Sequence, residues 1–125
     1  MFTHVVVGSN DLDRAQAFYD AVMGELGIGA GLRMEDRIFY RSPTGTFAVC
    51  KPIDGNPATF ANGGTIGLAA PSDEAVAAAH AAAMKLGGTD EGAPGIREKA
   101  GACGAYLRDP DGNKLCFFHG LGGRK

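Results

Sequence analysis

The sequence has no tryptophan, few cysteines and no long apolar run. Its three cysteines, Cys50, Cys103 and Cys116, are odd in number and form no CxxC pair, which argues against a secreted disulfide scaffold. No stretch approaches the roughly 18 apolar residues of a membrane span. The first residues after Met1 lack the basic start and apolar core of a signal peptide. We therefore expect a cytoplasmic protein.

A strong charge of either sign is also missing. Twelve basic and 14 acidic residues give a formal net charge of −2. So balanced a chain lacks the positive field that attracts nucleic acid or an anionic membrane, and we expect neither as a partner. A length of 125 residues with 45% hydrophobic residues fits a single domain with a packed core.

The first half of the chain predicts a strand, a helix and three strands. Asn10 is a favoured N-cap residue, and apolar residues from Ala15 to Leu26 recur every three or four positions, so we expect a helix that ends at Gly27. Short runs rich in β-branched and aromatic residues, bounded by turn residues, predict the strands. These predicted strands are 2–8, 32–35, 37–41 and 46–51.

The same order of elements restarts after a polar loop over 52–64. Ser72 is the expected cap of an alanine-rich helix that stops at Gly87, with His80 on its exposed face. The predicted strands of this half are 65–70, 95–98, 103–108 and 114–119.

Two offsets relate the halves as an internal repeat. The first strand and helix recur 61 residues later, and the Arg-x-Pro-x-Gly turn at Arg41 recurs 67 residues later at Arg108. Each half is therefore a βαβββ module, about residues 1–55 and about 63–120, within one domain spanning 1–125. The repeat predicts an α+β fold, in which two tandem modules form a curved eight-stranded mixed sheet with helices outside and a cleft inside.

Three signatures carry a family resemblance. The run from His4 to Val7 is followed by the segment from Asp11 to Tyr19, the pattern restarts in mid-chain, and Asp109-Pro110-Asp111-Gly112-Asn113 precedes the last strand. In this order and spacing they make nearly the whole chain resemble the vicinal oxygen chelate superfamily. That superfamily contains glyoxalase I, extradiol dioxygenases and bleomycin-resistance proteins. The resemblance implies a glyoxalase-like fold, a small-molecule ligand and a homodimer.

The resemblance also implies where a divalent metal would bind, because family members often hold one through the first and fourth strands of each module. These positions fall on His4, Val49, Thr65 and Cys116. Valine offers no lone pair, and threonine is a poor ligand for the zinc, nickel, iron or manganese of such sites. We therefore expect no resident metal, with His4 and Cys116 as weak candidates. The alternative is a metal-dependent glyoxalase-type lyase, isomerase or dioxygenase with an atypical ligand set.

The expected function is binding of a small organic molecule in the sheet cleft, and the residues leave open whether the protein is catalytic. His4 is the candidate base, since an imidazole titrates near pH 6.5 in water. Cys116 is either a nucleophile beside His4 or a small buried hydrophobe. The resemblance further implies that Arg97 or Lys99 contacts a carboxylate. The candidate pocket residues are His4, Phe39, Val49, Lys51, Thr65, Tyr106, Cys116 and Phe118.

Overall fold

Two βαβββ modules build the fold, as the repeat predicts. The computed structural model describes residues 1–121. The elements of module one are β1 (His4–Gly8), α1 (Leu12–Glu25), β2 (Leu32–Met34), β3 (Arg37–Ser42) and β4 (Gly45–Cys50). The elements of module two are β5 (Ile66–Ala69), α2 (Asp73–Lys85), β6 (Thr89–Arg97), β7 (Ala102–Arg108) and β8 (Lys114–His119).

Each module has its own mixed sheet. The strand orders are β1-β4-β3-β2 and β5-β8-β7-β6, with β1 parallel to β4, β5 parallel to β8 and the remaining pairs antiparallel. The predicted α+β class and paired modules are therefore confirmed. The eight strands are divided between two four-stranded sheets, because β1 and β5 are edge strands and no ladder joins them within the described chain.

The helices begin where short polar side chains accept backbone N–H groups. Asp11, rather than the predicted Asn10, caps α1 by accepting from the Arg14 nitrogen. The Asn10 side chain instead holds the segment between the modules, with its Oδ1 accepting from the Ala58 nitrogen at 2.7 Å. Ser72 caps α2 as predicted, accepting from the Ala75 nitrogen at 3.0 Å.

One continuous hydrophobic core joins the two modules. Each helix buries an apolar stripe against one face of its sheet, and the small side chains of α2 let it pack closely on α1. We call the sheet face turned away from the helices the open face. The buried helix residues are Leu12, Ala15, Phe18, Tyr19, Val22 and Met23 in α1 and Ala75, Val76, Ala79, His80 and Ala83 in α2.

Two features of module two differ from the predictions. Strand β6 covers Thr89–Arg97 instead of 95–98, because its pairing with β7 contains register shifts that the alternation of residues does not reveal. His80 is buried instead of exposed, with only 8% of its surface accessible. Its Nε2 lies 2.9 Å from Asp90 Oδ1 at the start of β6, so the buried ring has a polar partner.

The loop Asp109–Asn113 fastens module two to module one. The Asn113 amide donates to the Gly8 carbonyl oxygen at 2.9 Å, and the Tyr19 hydroxyl donates to Asp109 Oδ2 at 2.5 Å. Burial, followed by the charge of Asp109, raises the pKa of Tyr19 well above its usual value. The phenol is therefore a fixed donor to a buried carboxylate.

Candidate functional site

Strand register decides which side chains reach the open faces. Gly8 pairs with Cys50 in the first sheet, and Ala69, 61 residues after Gly8, pairs with Phe118 in the second. The last strands of the modules are therefore related by an offset of 68, not 67. The extra residue lies in the second hairpin loop, since Arg41 pairs with Thr46 but Arg108 pairs with Lys114.

This register corrects the prediction for Val49. A shift of one residue turns a strand side chain to the opposite face. Val49 has no exposed surface and belongs to the hydrophobic core, paired with Val7 and Ile38. The module-one equivalent of Cys116 is instead Ala48.

The largest cavity begins at His4. It has a volume of about 550 Å³ and lies between β1, the C-terminal end of α1, the β3–β4 turn and β5. His4 is exposed at its wall, and its Nδ1 lies 2.8 Å from Thr3 Oγ1. The lining within residues 1–121 is mostly apolar, with hydroxyls from Thr3, Ser42, Thr44 and Thr46 and no carboxylate, ammonium or guanidinium side chain. Such a cavity suits the uncharged part of a small organic molecule.

The cavity borders the open face of the second sheet at β5. One row of register partners crosses that sheet from Gly92 through Tyr106 and Cys116 to Gly67, which also lines the cavity. A Cβ atom placed on Gly67 would lie 3.3 Å from the Cys116 sulfur. The glycine therefore leaves Cys116 accessible from the cavity side.

Two aromatic rings stand on this open face. Tyr106 and Phe118 are half-buried and meet edge to face, with ring centroids 5.8 Å apart. Gly104 makes the contact possible, because a Cβ atom there would come within 2.5 Å of the Phe118 ring. Phe39, the module-one equivalent of Tyr106, occupies the open face of the first sheet under the Arg41 guanidinium.

Two other predicted pocket residues lie outside the cavity wall. Thr65 is exposed and directly precedes β5, where alternation places it on the same face as Gly67. Lys51 follows β4 at the end remote from His4 and lines a separate groove with Asn10. The sequence could not place Lys51, because strand alternation stops at Cys50.

Cys116 is a weakly activated thiol in this environment. Burial raises its pKa, and the nearby Lys114 ammonium offsets only part of that rise. A raised pKa keeps the thiol protonated at neutral pH, whereas nucleophilic attack needs the thiolate. The geometry therefore favours Cys116 as part of the pocket wall over Cys116 as a nucleophile.

The residues present do not fit a resident divalent metal. With the register corrected, the four family positions hold His4, Ala48, Thr65 and Cys116, of which only two carry a nitrogen or sulfur ligand. In the described part of the chain, no three His, Cys, Asp or Glu side chains converge as a metal site would require.

Comparison with known proteins identifies the family. Residues 1–117 match the model of the glyoxalase/bleomycin resistance protein/dioxygenase superfamily, so the chain belongs to that superfamily and the resemblance is confirmed. A glyoxalase/bleomycin resistance protein from Albidiferax ferrireducens T118 is 54% identical over 95% of this chain and 98% of its own, with a TM-score of 0.91.

More distant structures share the fold alone. A glyoxalase-related enzyme from Fulvimarina pelagi is 18% identical with a TM-score of 0.75, covering 95% of this chain and 87% of its own. A lactoylglutathione lyase from Agrobacterium tumefaciens is 22% identical with a TM-score of 0.66, covering 96% and 93%. No curated protein matches the sequence. Among residues 1–121, no helix is both long and apolar enough to cross a membrane.

Proposed function

We propose that this chain is a small-molecule-binding member of its superfamily that works without a resident metal. The ligand occupies the cavity beside His4 and extends onto the open face of the second sheet. The observation that carries the proposal is the cavity of about 550 Å³, which is within the usual range for small-ligand pockets. His4 is the one polar ring at its wall, and it serves as a hydrogen-bonding partner or a base for the ligand.

A blocking substitution tests the location. In Gly67→Leu, the new side chain fills the passage between the cavity and Cys116, so binding of soluble aromatic and aliphatic fragments is expected to fall at least tenfold by ligand-observed NMR. The matched control is Gly29→Leu, because Gly29 is exposed and has no neighbour within 4 Å of a placed Cβ atom. Fragments that bind wild type and Gly67→Leu equally would place the ligand elsewhere.

Elemental analysis separates this proposal from a metal-dependent enzyme. Wild-type protein purified without chelator is expected to hold well under one divalent metal ion per chain, because the four family positions supply one imidazole and one thiol. The same low content is expected for His4→Ala. A near-stoichiometric metal that disappears in His4→Ala would overturn the metal-free proposal.

We also propose that the protein is a cytoplasmic homodimer. The free thiols of Cys50, Cys103 and Cys116 suit a reducing compartment. Val6, Leu32 and Met34 alternate onto the open face of the first sheet and are each about half exposed, an apolar surface that a second copy of the chain would cover. Sedimentation equilibrium tests the dimer, and a monomeric mass at micromolar concentration would refute it.

A further inference from the structure

Two cations converge on one aromatic ring of the second open face. The Arg97 guanidinium lies 5.7 Å from the centroid of the Tyr106 ring, and the Lys114 ammonium lies 5.6 Å from it. All three side chains are half-buried. The ring face attracts each cation, but it cannot neutralise two of them.

Small residues make room for this cluster. Arg97 lies on the same face of the sheet as Tyr106, and its guanidinium runs back along β6 to donate to the Ala93 carbonyl oxygen at 2.7 Å. Gly92 makes that path possible, because a Cβ atom there would lie 3.1 Å from the guanidinium. A larger residue would displace Arg97 from the ring.

No carboxylate within residues 1–121 pairs with Arg97 or Lys114. Glu91, the acid nearest to this face in sequence, pairs with Arg108 at 3.4 Å. The hydrogen bond from the Gly92 nitrogen, then that of His80, lowers the pKa of Asp90, and Arg97 contributes least. Asp90 is thus already engaged on the other side of the strand, opposite the buried Leu107.

We infer that the ligand of this protein is an organic anion, whose acidic group binds between Arg97 and Lys114 beside the Tyr106 hydroxyl. This inference rests on the proposed function and adds the ligand's chemical class. The hydroxyl is free to donate, since it has no hydrogen-bond partner in the described chain. Arginine, lysine and phenol donors together match the several lone pairs of a carboxylate.

The geometry also sets the shape of the remainder of the molecule. Tyr106, Cys116 and Gly67 are successive partners across three strands, so the anion site lies roughly 10 Å from the cavity edge by strand spacing. Along that path the open face presents the Phe118 ring and the neutral thiol of Cys116. The uncharged cavity beyond them receives an apolar body. A flat, mainly apolar molecule with one terminal carboxylate meets all of these features.

Cinnamate and its neutral amide, cinnamamide, test the inference by isothermal titration calorimetry. Wild type is expected to bind cinnamate at least tenfold more tightly than cinnamamide, and added salt should weaken only cinnamate. Lys114→Gln and Arg97→Gln should each lower cinnamate affinity roughly fivefold or more while leaving cinnamamide within twofold. Tyr106→Phe, which keeps the ring, should weaken cinnamate to a smaller extent.

The matched control is Lys99→Gln, which removes one positive charge from an exposed turn between β6 and β7. An equal loss in Lys99→Gln and Lys114→Gln would overturn the inference, because general attraction would then explain the preference. Equal affinity of wild type for cinnamate and cinnamamide would also overturn it but leave the proposed function standing. Failure of both compounds to bind at 10 mM, about the weakest range of fragment binding, would contradict both.

Discussion

Replacing Asp109 by alanine is expected to lower the free energy of unfolding by about 4 kcal/mol, a large part of the total stability of an ordinary domain. The Asp109 side chain is almost fully buried and accepts four hydrogen bonds. They come from the Tyr19 hydroxyl, the backbone nitrogens of Asp111 and Asn113, and the Asn113 amide. Alanine leaves these donors without a partner in a place that water reaches poorly, and each unsatisfied group costs about 1–3 kcal/mol.

Urea denaturation followed by circular dichroism measures this loss. Asp54→Ala is the matched control, because Asp54 also accepts a backbone N–H two residues ahead, from Asn56, but in an exposed loop. We expect Asp54→Ala to stay within about 0.5 kcal/mol of wild type. Tyr19→Phe removes one of the four donors together with its bond and should cost about 1–2 kcal/mol, which keeps the test readable if Asp109→Ala does not fold. A loss under about 1 kcal/mol in Asp109→Ala would contradict the role of this loop.

The second large effect is expected from Val49→Glu, which should prevent folding or cost more than about 4 kcal/mol. The register turns Val49 into the core, so the substitution would bury a carboxylate among Val7, Ile38 and α1 without a partner. Its neighbour Cys50 is half-buried on the open face, and Cys50→Glu should cost no more than about 1 kcal/mol. Soluble yield and urea denaturation compare the two.

Val49→Ala provides a variant that folds. It deletes two buried methyl groups and should cost about 2 kcal/mol. If Val49→Glu were as stable as Cys50→Glu, β4 would have the register first predicted from the 67-residue offset, and the site positions of module one would have to be reassigned.

The overall fold was accessible from the sequence because its cues are local and repeated. Apolar periodicity located both helices, and turn residues located seven of the eight strands within a few positions. Strand β6 was underestimated because Gly92, Pro94 and Gly95 interrupt the alternation that marks a strand. His80 was misplaced because its burial depends on Asp90, a partner beyond the end of the helix.

The candidate site was less accessible, since its position depends on pairing between strands. The turns at Arg41 and Arg108 align well in sequence, yet their loops differ by one residue, and that single residue moved the predicted site from Ala48 to Val49. Lys114 was overlooked because it lies beside the turn, where it reads as a solvent-exposed residue. Its proximity to Tyr106 follows from the diagonal neighbours of an antiparallel pair, which alternation along one strand does not show.

The two hairpin turns of the repeat have diverged in what they do at the boundary between modules. The Asp109–Asn113 loop closes on Gly8 and Tyr19, whereas the corresponding turn near Pro43 faces β5 across the open cavity. Variation in this family of sequences should therefore be unevenly tolerated. Changes in the first turn can alter which molecules are accepted at little cost in stability, while the second turn has little freedom to change. A duplicated module thus gives the chain one copy of the turn that holds the fold and another that is free to adapt to new ligands.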